Sequence, residues 1–159
     1  MSSPQSHART MKELLRSQMG IITHEGGFVR LRRTSMPMSA ANPFEVDEVI
    51  ERFRMLVPLR ERRNLGFLLD SRDAPMVGDD ASMLSIRPVM EQLMTGFPRV
   101  AILVQTALGK LQATRRARGD SLFEQHHLTV FSDEAQAIAH VTGQSTSQTG
   151  PLSVRGKPV

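Results

Sequence analysis

The apolar positions of this chain fall into short runs divided by longer segments in which apolar residues recur every three or four positions. Gly20 to Arg33, GIITHEGGFVRLRR, is two short apolar-rich runs around Glu25-Gly26-Gly27, and Phe28, Arg30 and Arg32 alternate with Val29, Leu31 and Arg33. That pattern predicts two strands joined as a hairpin. Asn42-Pro43-Phe44-Glu45 follows, with a cap residue, proline at the first helical position and an acid in the first turn, and Val46, Val49, Ile50, Phe53, Leu56 and Val57 recur at helical spacing behind it. A helix therefore starts there and ends near Pro58. GFLLD, Gly66 to Asp70, and RVAILV, Arg99 to Val104, are continuous apolar runs of the kind found in strands covered on both faces.

Between those runs, Asp80 to Thr95 predicts a second helix with Ile86, Met90, Leu93 and Phe97 as its inward stripe. Pro88 in its first half predicts a kink or a late start, because an interior proline removes a donor and crowds the preceding turn. Thr106 to Arg118 predicts a third helix with Leu108 and Leu111 inward and Lys110, Arg115, Arg116 and Arg118 outward. His127 to Phe131 reads as a last strand, and Ser132, helped by Asp133 and Glu134, caps a final helix through about Thr142. Upstream, Thr10 to Met19 has Thr10 and Glu13 at capping-box spacing, and Met11, Leu14, Leu15 and Gln18 share a helical face; it reads as a short amphipathic helix or as an unstructured extension.

The order hairpin, helix, strand, helix, strand, helix, strand, helix is that of an α/β domain. It implies a mixed, mostly parallel sheet of four or five strands, with an N-terminal hairpin and about four helices packed mainly on one face. Residues 1–19 form the extension, 20–142 the domain, and the Gly/Pro-rich polar segment 143–159 a disordered tail.

Composition narrows the chemistry. No apolar run approaches the ~20 residues that span a bilayer, no hydrophobic leader core stands in MSSPQSHARTMK, and there is no cysteine. The expectation is a soluble protein of a reducing cytoplasm without disulfides or thiolate metal sites. The net charge is only +4, and the aromatics, 4% of residues, are all Phe. Base-stacking platforms are thus thinly supplied, which argues against nucleic acid as a partner; membrane association is likewise not expected.

Candidate chemistry gathers at one end of the predicted sheet. Asp70, Ser71, Arg72 and Asp73 stand at the carboxyl end of a parallel strand, where open α/β sheets place their binding crevices, although Asp-Ser is also an ordinary turn pair. Asp79 and Asp80 precede a helix, where capping alone accounts for them; a metal site would need a third ligand at a spacing that nothing here supplies. His126 and His127 are adjacent, so on a strand they point to opposite faces, and His24 and His140 are isolated. Thr106 to Lys110, TALGK, opens a helix after a strand but lacks the second glycine and the Lys-Ser/Thr of a phosphate loop. No catalytic residue, metal or cofactor is implied.

The order of elements together with GFLLDSRDAP, FPRVAILVQTALGKLQATRRAR and HLTVFSDEAQAIAHV resembles the STAS superfamily, in its SpoIIAA-like branch of anti-sigma-factor-antagonist-like proteins, over about Gly20 to Val141. The resemblance implies a non-enzymatic bacterial regulatory module that binds protein partners. It also implies a phospho-acceptor serine at the start of the helix after the central strand. A gapless match puts that loop on Gly78-Asp79-Asp80-Ala81, so Asp80 stands where the serine would be; Ser82 is displaced and Ser71 lies back on the strand end. The reading is an interaction domain without the phospho-serine switch, whose surface is Asp70, Ser71, Arg72, Asp73, Asp79, Asp80 and Ser82 with Thr106 and Lys110. The alternative is a small-ligand or lipid-binding module of the same fold, with ten methionines giving an adaptable apolar interior. Docking of Thr10–Met19 on a second copy would make a homodimer.

Overall fold

The computed structural model describes the backbone of residues 11–37, 40–75, 80–118 and 127–144, and the side chains of all of these except 80–86 and 116–118. Three strands come first, β1 (Met11–Arg16), β2 (Gly20–Glu25) and β3 (Phe28–Arg33), then α1 (Pro43–Leu56) and the single turn α2 (Leu59–Arg62). β4 (Gly66–Asp70), α3 (Asp80–Met94), β5 (Arg99–Leu103), α4 (Ala107–Arg118), β6 (Leu128–Phe131) and α5 (Glu134–Thr142) complete the order. The strands lie in one sheet in sequence order; β1, β2 and β3 pair antiparallel, and β3 to β6 run parallel. The α/β class, the hairpin and the parallel half are as read from the pattern, and the sheet has six strands instead of four or five.

The sixth strand is β1, inside the segment read as a helix or a loose extension. Its register on β2 shifts between Glu13 and Leu15, so Leu14 is the extra residue of a bulge. Leu15 is buried in the core under α1 and α3, and Leu14 packs against the same core. Two adjacent leucines on one side break the period of two that would have announced a strand, and sheet pairing overrides the capping-box signal. β1 is hydrogen-bonded to a neighbour on one side only and forms the sheet's edge.

Alternation along β3 and β4 divides the interior. Val29, Phe67, Leu69 and Val100 face α1 and α3, whereas Phe28, Leu68, Ala101 and Leu103 face α5. On the first face Phe53, Phe67 and Phe97 meet with ring centroids 5.1 to 6.3 Å apart, at the separation of favourable aromatic pairs. On the second, α5 passes so close to β4 that a Cβ on Gly66 would collide with the backbone of Val141, which explains glycine there. Asn42 caps α1 by accepting from Phe44 N. α5 is capped by Asp133, which accepts from Gln136 N, and not by the expected Ser132. It ends on Gly143 in the left-handed region (φ 75°) with Gln144 N donating to Ala139 O at 2.9 Å, and residues 145–159 of the segment read as a tail lie outside the described residues.

Three further expectations change. Leu56 is exposed, because Phe53 and Val57 already fill the buried side of α1. Pro88 neither delays nor divides α3 and occupies an exposed position. Leu108 and Leu111 point outward, not inward. Among the described residues, no helix is long and apolar enough to cross a membrane.

Candidate functional site

The carboxyl ends of β3 to β6 meet at one edge of the sheet, and on the α5 side that edge is charged. Period-two alternation puts Arg30 of β3 and Asp70 of β4 on the face of Phe28 and Leu68. Beyond the reach of α5's apolar residues, this face must be filled by polar groups that satisfy one another. Arg30 lies at the centre. Its Nε and Nη2 donate to Glu25 of β2 (2.7 and 3.3 Å), a two-pronged contact, and its Nη1 lies 3.1 Å from Asp70 Oδ2 and 2.9 Å from Glu134 at the start of α5. Thr23 Oγ1 donates to the same Glu25 at 2.9 Å.

Arg72 closes the other side of Asp70. Its backbone N and its Nε donate to Asp70 Oδ1, its Nη2 to Oδ2 at 2.7 Å, and its Nη1 lies 3.5 Å from Glu134. Asp70 is 1% exposed, so burial by itself raises the proton affinity of its carboxylate. The hydrogen bonds and charge of Arg72, with the charge of Arg30, together outweigh that and hold Asp70 below its ordinary range. Asp70 in turn pushes the Arg72 guanidinium upward. For Arg30, burial opposes the charged form, but Glu25 and Glu134 more than offset it.

This geometry limits the chemistry. A carboxylate held ionised by two arginines is a poor proton donor or acceptor near neutrality. The Arg30 guanidinium occupies the point on which Glu25, Asp70 and Glu134 converge. Among the described residues, no group of three or more His, Asp or Glu side chains could hold a metal ion. The cluster ties β2, β3, β4 and α5 together.

The sequence-read residues separate accordingly. Asp70 and Arg72 join in the cluster; Ser71 donates its backbone N–H to Leu103 O (2.8 Å) and extends the pairing of β4 with β5; Asp73 is exposed and pairs with Arg32 at 3.1 Å. Thr106 caps α4, its Oγ1 accepting from Gly109 N at 2.9 Å, and Lys110 is exposed one turn later. Both follow β5 at the same edge, as expected of neighbouring parallel strands. Asp79 and His126 lie outside the described residues, and Asp80 and Ser82 open α3 with side chains that are also outside them. His140 Nε2 lies 3.1 Å from His127 O, which links α5 to the turn before β6.

Sequence reading missed Glu25, Arg30 and Glu134, although the arginines alternating along FVRLRR in a half-buried hairpin were a signal that a carboxylate must meet them. It also missed Arg62, buried between α1 and α3. Arg62 donates to Val57 O, Gln92 O and Thr95 O at the carboxyl ends of those helices and lies over Phe53 (4.7 Å) and Phe97 (5.2 Å). Burial, and secondarily Arg54, lowers its proton affinity.

No protein-family model matches the chain, and no curated protein does either. Among solved structures it is similar to an uncharacterized protein from the DUF3478 family of Shewanella loihica PV-4, whose fold is described as SpoIIAA-like. The match covers 89% of this chain and 98% of that one at 18% identity, with a TM-score of 0.51. At that identity the likeness is one of fold, and it agrees with the resemblance read from GFLLDSRDAP and the segments after it. The chain has a SpoIIAA-like fold.

Proposed function

We propose that this SpoIIAA-like chain is a non-enzymatic regulatory module that binds a protein partner on the outer face of α4, beside the loops that follow β4 and β5. The observation that carries the reading is the exposure of Leu108 (64%) and Leu111 (50%). One turn apart, they stand on the same side of the helix as Arg115, while Gly109 takes the buried side. Two leucines left in water on one face of a helix mark a surface that another molecule covers. Lys110, Arg115, Arg116 and Arg118 lie in the same helix, which contains no carboxylate, so the complementary partner is an acidic segment with apolar anchors of its own.

The arginine-neutralised carboxylates of the sheet edge support a role without catalysis. Asp80 at the start of α3, where a gapless match would put the phospho-acceptor serine, supports a surface that works without a phosphorylated serine. The test is capture from native lysate with full-length wild type and with Leu108→Glu/Leu111→Glu, quantified by mass spectrometry, with circular dichroism to verify equal folding. A protein enriched by the wild type and lost by the variant is the expected result. Equal capture by both would overturn the reading.

A further inference from the structure

On the face opposite the charged cluster, the same edge of the sheet holds an apolar cavity of about 50 Å³ between the strands and helices α1 and α3. Its walls include Ile22, Leu31, Val49, Leu69 and Met90, and its one charged lining residue is Arg33, the last residue of β3. Alternation puts Arg33 on the face of Val29 and Leu31, away from Arg30 and Arg32.

Arg33 differs from three other partly or fully buried arginines. Arg30 meets three carboxylates, Arg72 meets two, and Arg62 has three backbone carbonyls and two aromatic rings. Arg33 makes one hydrogen bond, from Nη2 to Met36 O at 3.3 Å, and no carboxylate of the described residues lies within ion-pair distance. Burial lowers its proton affinity, with no charge to offset the loss of water. A guanidinium drawn against an apolar wall without a counter-charge is costly in the empty protein, and an anion supplied from outside would offset that cost.

We infer that this cavity binds a small amphipathic carboxylate, with its head on the Arg33 guanidinium and its short apolar tail between the sheet, α1 and α3. At roughly 10–15 Å³ for each water-sized group, the space holds a tail of about four methylene-sized groups. The guanidinium fork matches the two oxygens of a carboxylate, and the wall has no other charged group with which to hold a second polar end. The site lies at the carboxyl ends of parallel strands, where α/β sheets take their ligands, and it does not depend on the outer face of α4.

The test is titration of the full-length protein with sodium hexanoate, followed through the methyl resonances of Ile22, Val49 and Met90. Parallel titrations use acetate, which lacks the tail, and hexan-1-ol, which lacks the charge. Saturable shifts of these methyls are expected with Kd on the order of millimolar or tighter, and roughly tenfold weaker binding for both controls. Arg33→Met should weaken hexanoate by roughly tenfold and leave hexan-1-ol unchanged, whereas Val49→Phe, which fills the cavity, should abolish both. Absence of saturable shifts with hexanoate, or equal affinity for hexanoate and hexan-1-ol, would overturn the inference. Unchanged hexanoate affinity in Arg33→Met would overturn it as well, and none of these outcomes bears on capture of a protein through Leu108 and Leu111.

Discussion

Arg30 and Arg33 lie three residues apart on β3, and the pleat of the strand sends them into opposite environments. Arg30 enters a closed network in which each of its hydrogen bonds and ion pairs goes to a carboxylate, and it is only 12% exposed at the side chain. Arg33 enters an apolar wall and keeps one carbonyl. The contrast teaches that a buried charge is read from its neighbours and not from its burial. In the first case the protein has satisfied the cation itself, and the residue holds the fold together; in the second it has left the satisfaction to something else.

The largest test of that contrast is truncation of Arg30. Arg30→Ala strands Glu25 as a buried carboxylate without a cation and leaves Asp70 to Arg72 alone, with an expected loss of about 3–5 kcal/mol in urea denaturation. Stability within error of wild type would mean that the network is not what joins β3 to β4 and α5. Arg72→Ala opens the same network from its wetter side. Because Arg72 is about a third exposed, solvent screening reduces its contribution, and about 1–2 kcal/mol is expected.

Acid reaches the cluster through Asp70. Its folded proton affinity is depressed, so the stability it contributes is complete above the unfolded value of 3.8 and is lost as pH falls from there through the lower folded value. Arg72→Ala raises the folded value and should shrink the acid-dependent part of the stability, measured as unfolding free energy against pH. An identical pH slope in the two proteins would show that Asp70 is not held by Arg72.

On the opposite face the expected effect is smaller and of the other sign. Arg33→Met replaces a poorly satisfied cation by an apolar side chain of similar length and should leave the ligand-free protein as stable as wild type or more stable by up to about 1 kcal/mol. A loss comparable to that of Arg30→Ala would erase the distinction between the two sites. The smallest effect belongs to Arg32→Ala. Its pair with Asp73 is more than half exposed on both sides, and a change of about 0–0.5 kcal/mol is expected by thermal denaturation.

Much of the fold was legible because it rests on periodicity. The hairpin at Gly26-Gly27, the capped helix from Pro43, the apolar strands GFLLD and RVAIL and their parallel order all follow from residue spacing and turn chemistry. β1 was not legible, since the bulge at Leu14 removes the alternation and only pairing with β2 makes the segment a strand. The outward turn of Leu108 and Leu111 was hidden for a related reason: helical spacing shows that two leucines share a face, and what that face meets is set by how α4 sits against β6.

For the candidate site, the chain alone marks Asp70, Arg72 and Asp73 as a polar group at a strand end, and FVRLRR as a strand with cations on both sides. Those features are local, set by chemical type and by a repeat of two. That Asp70 is locked between Arg30 and Arg72, that Glu25 and Glu134 complete the lock, and that Arg33 stands against an apolar cavity are decided by strand register and by the placement of α1, α3 and α5. Residues 40 or more positions apart become neighbours only when the sheet closes, and the proton affinity and freedom of each charge depend on those neighbours.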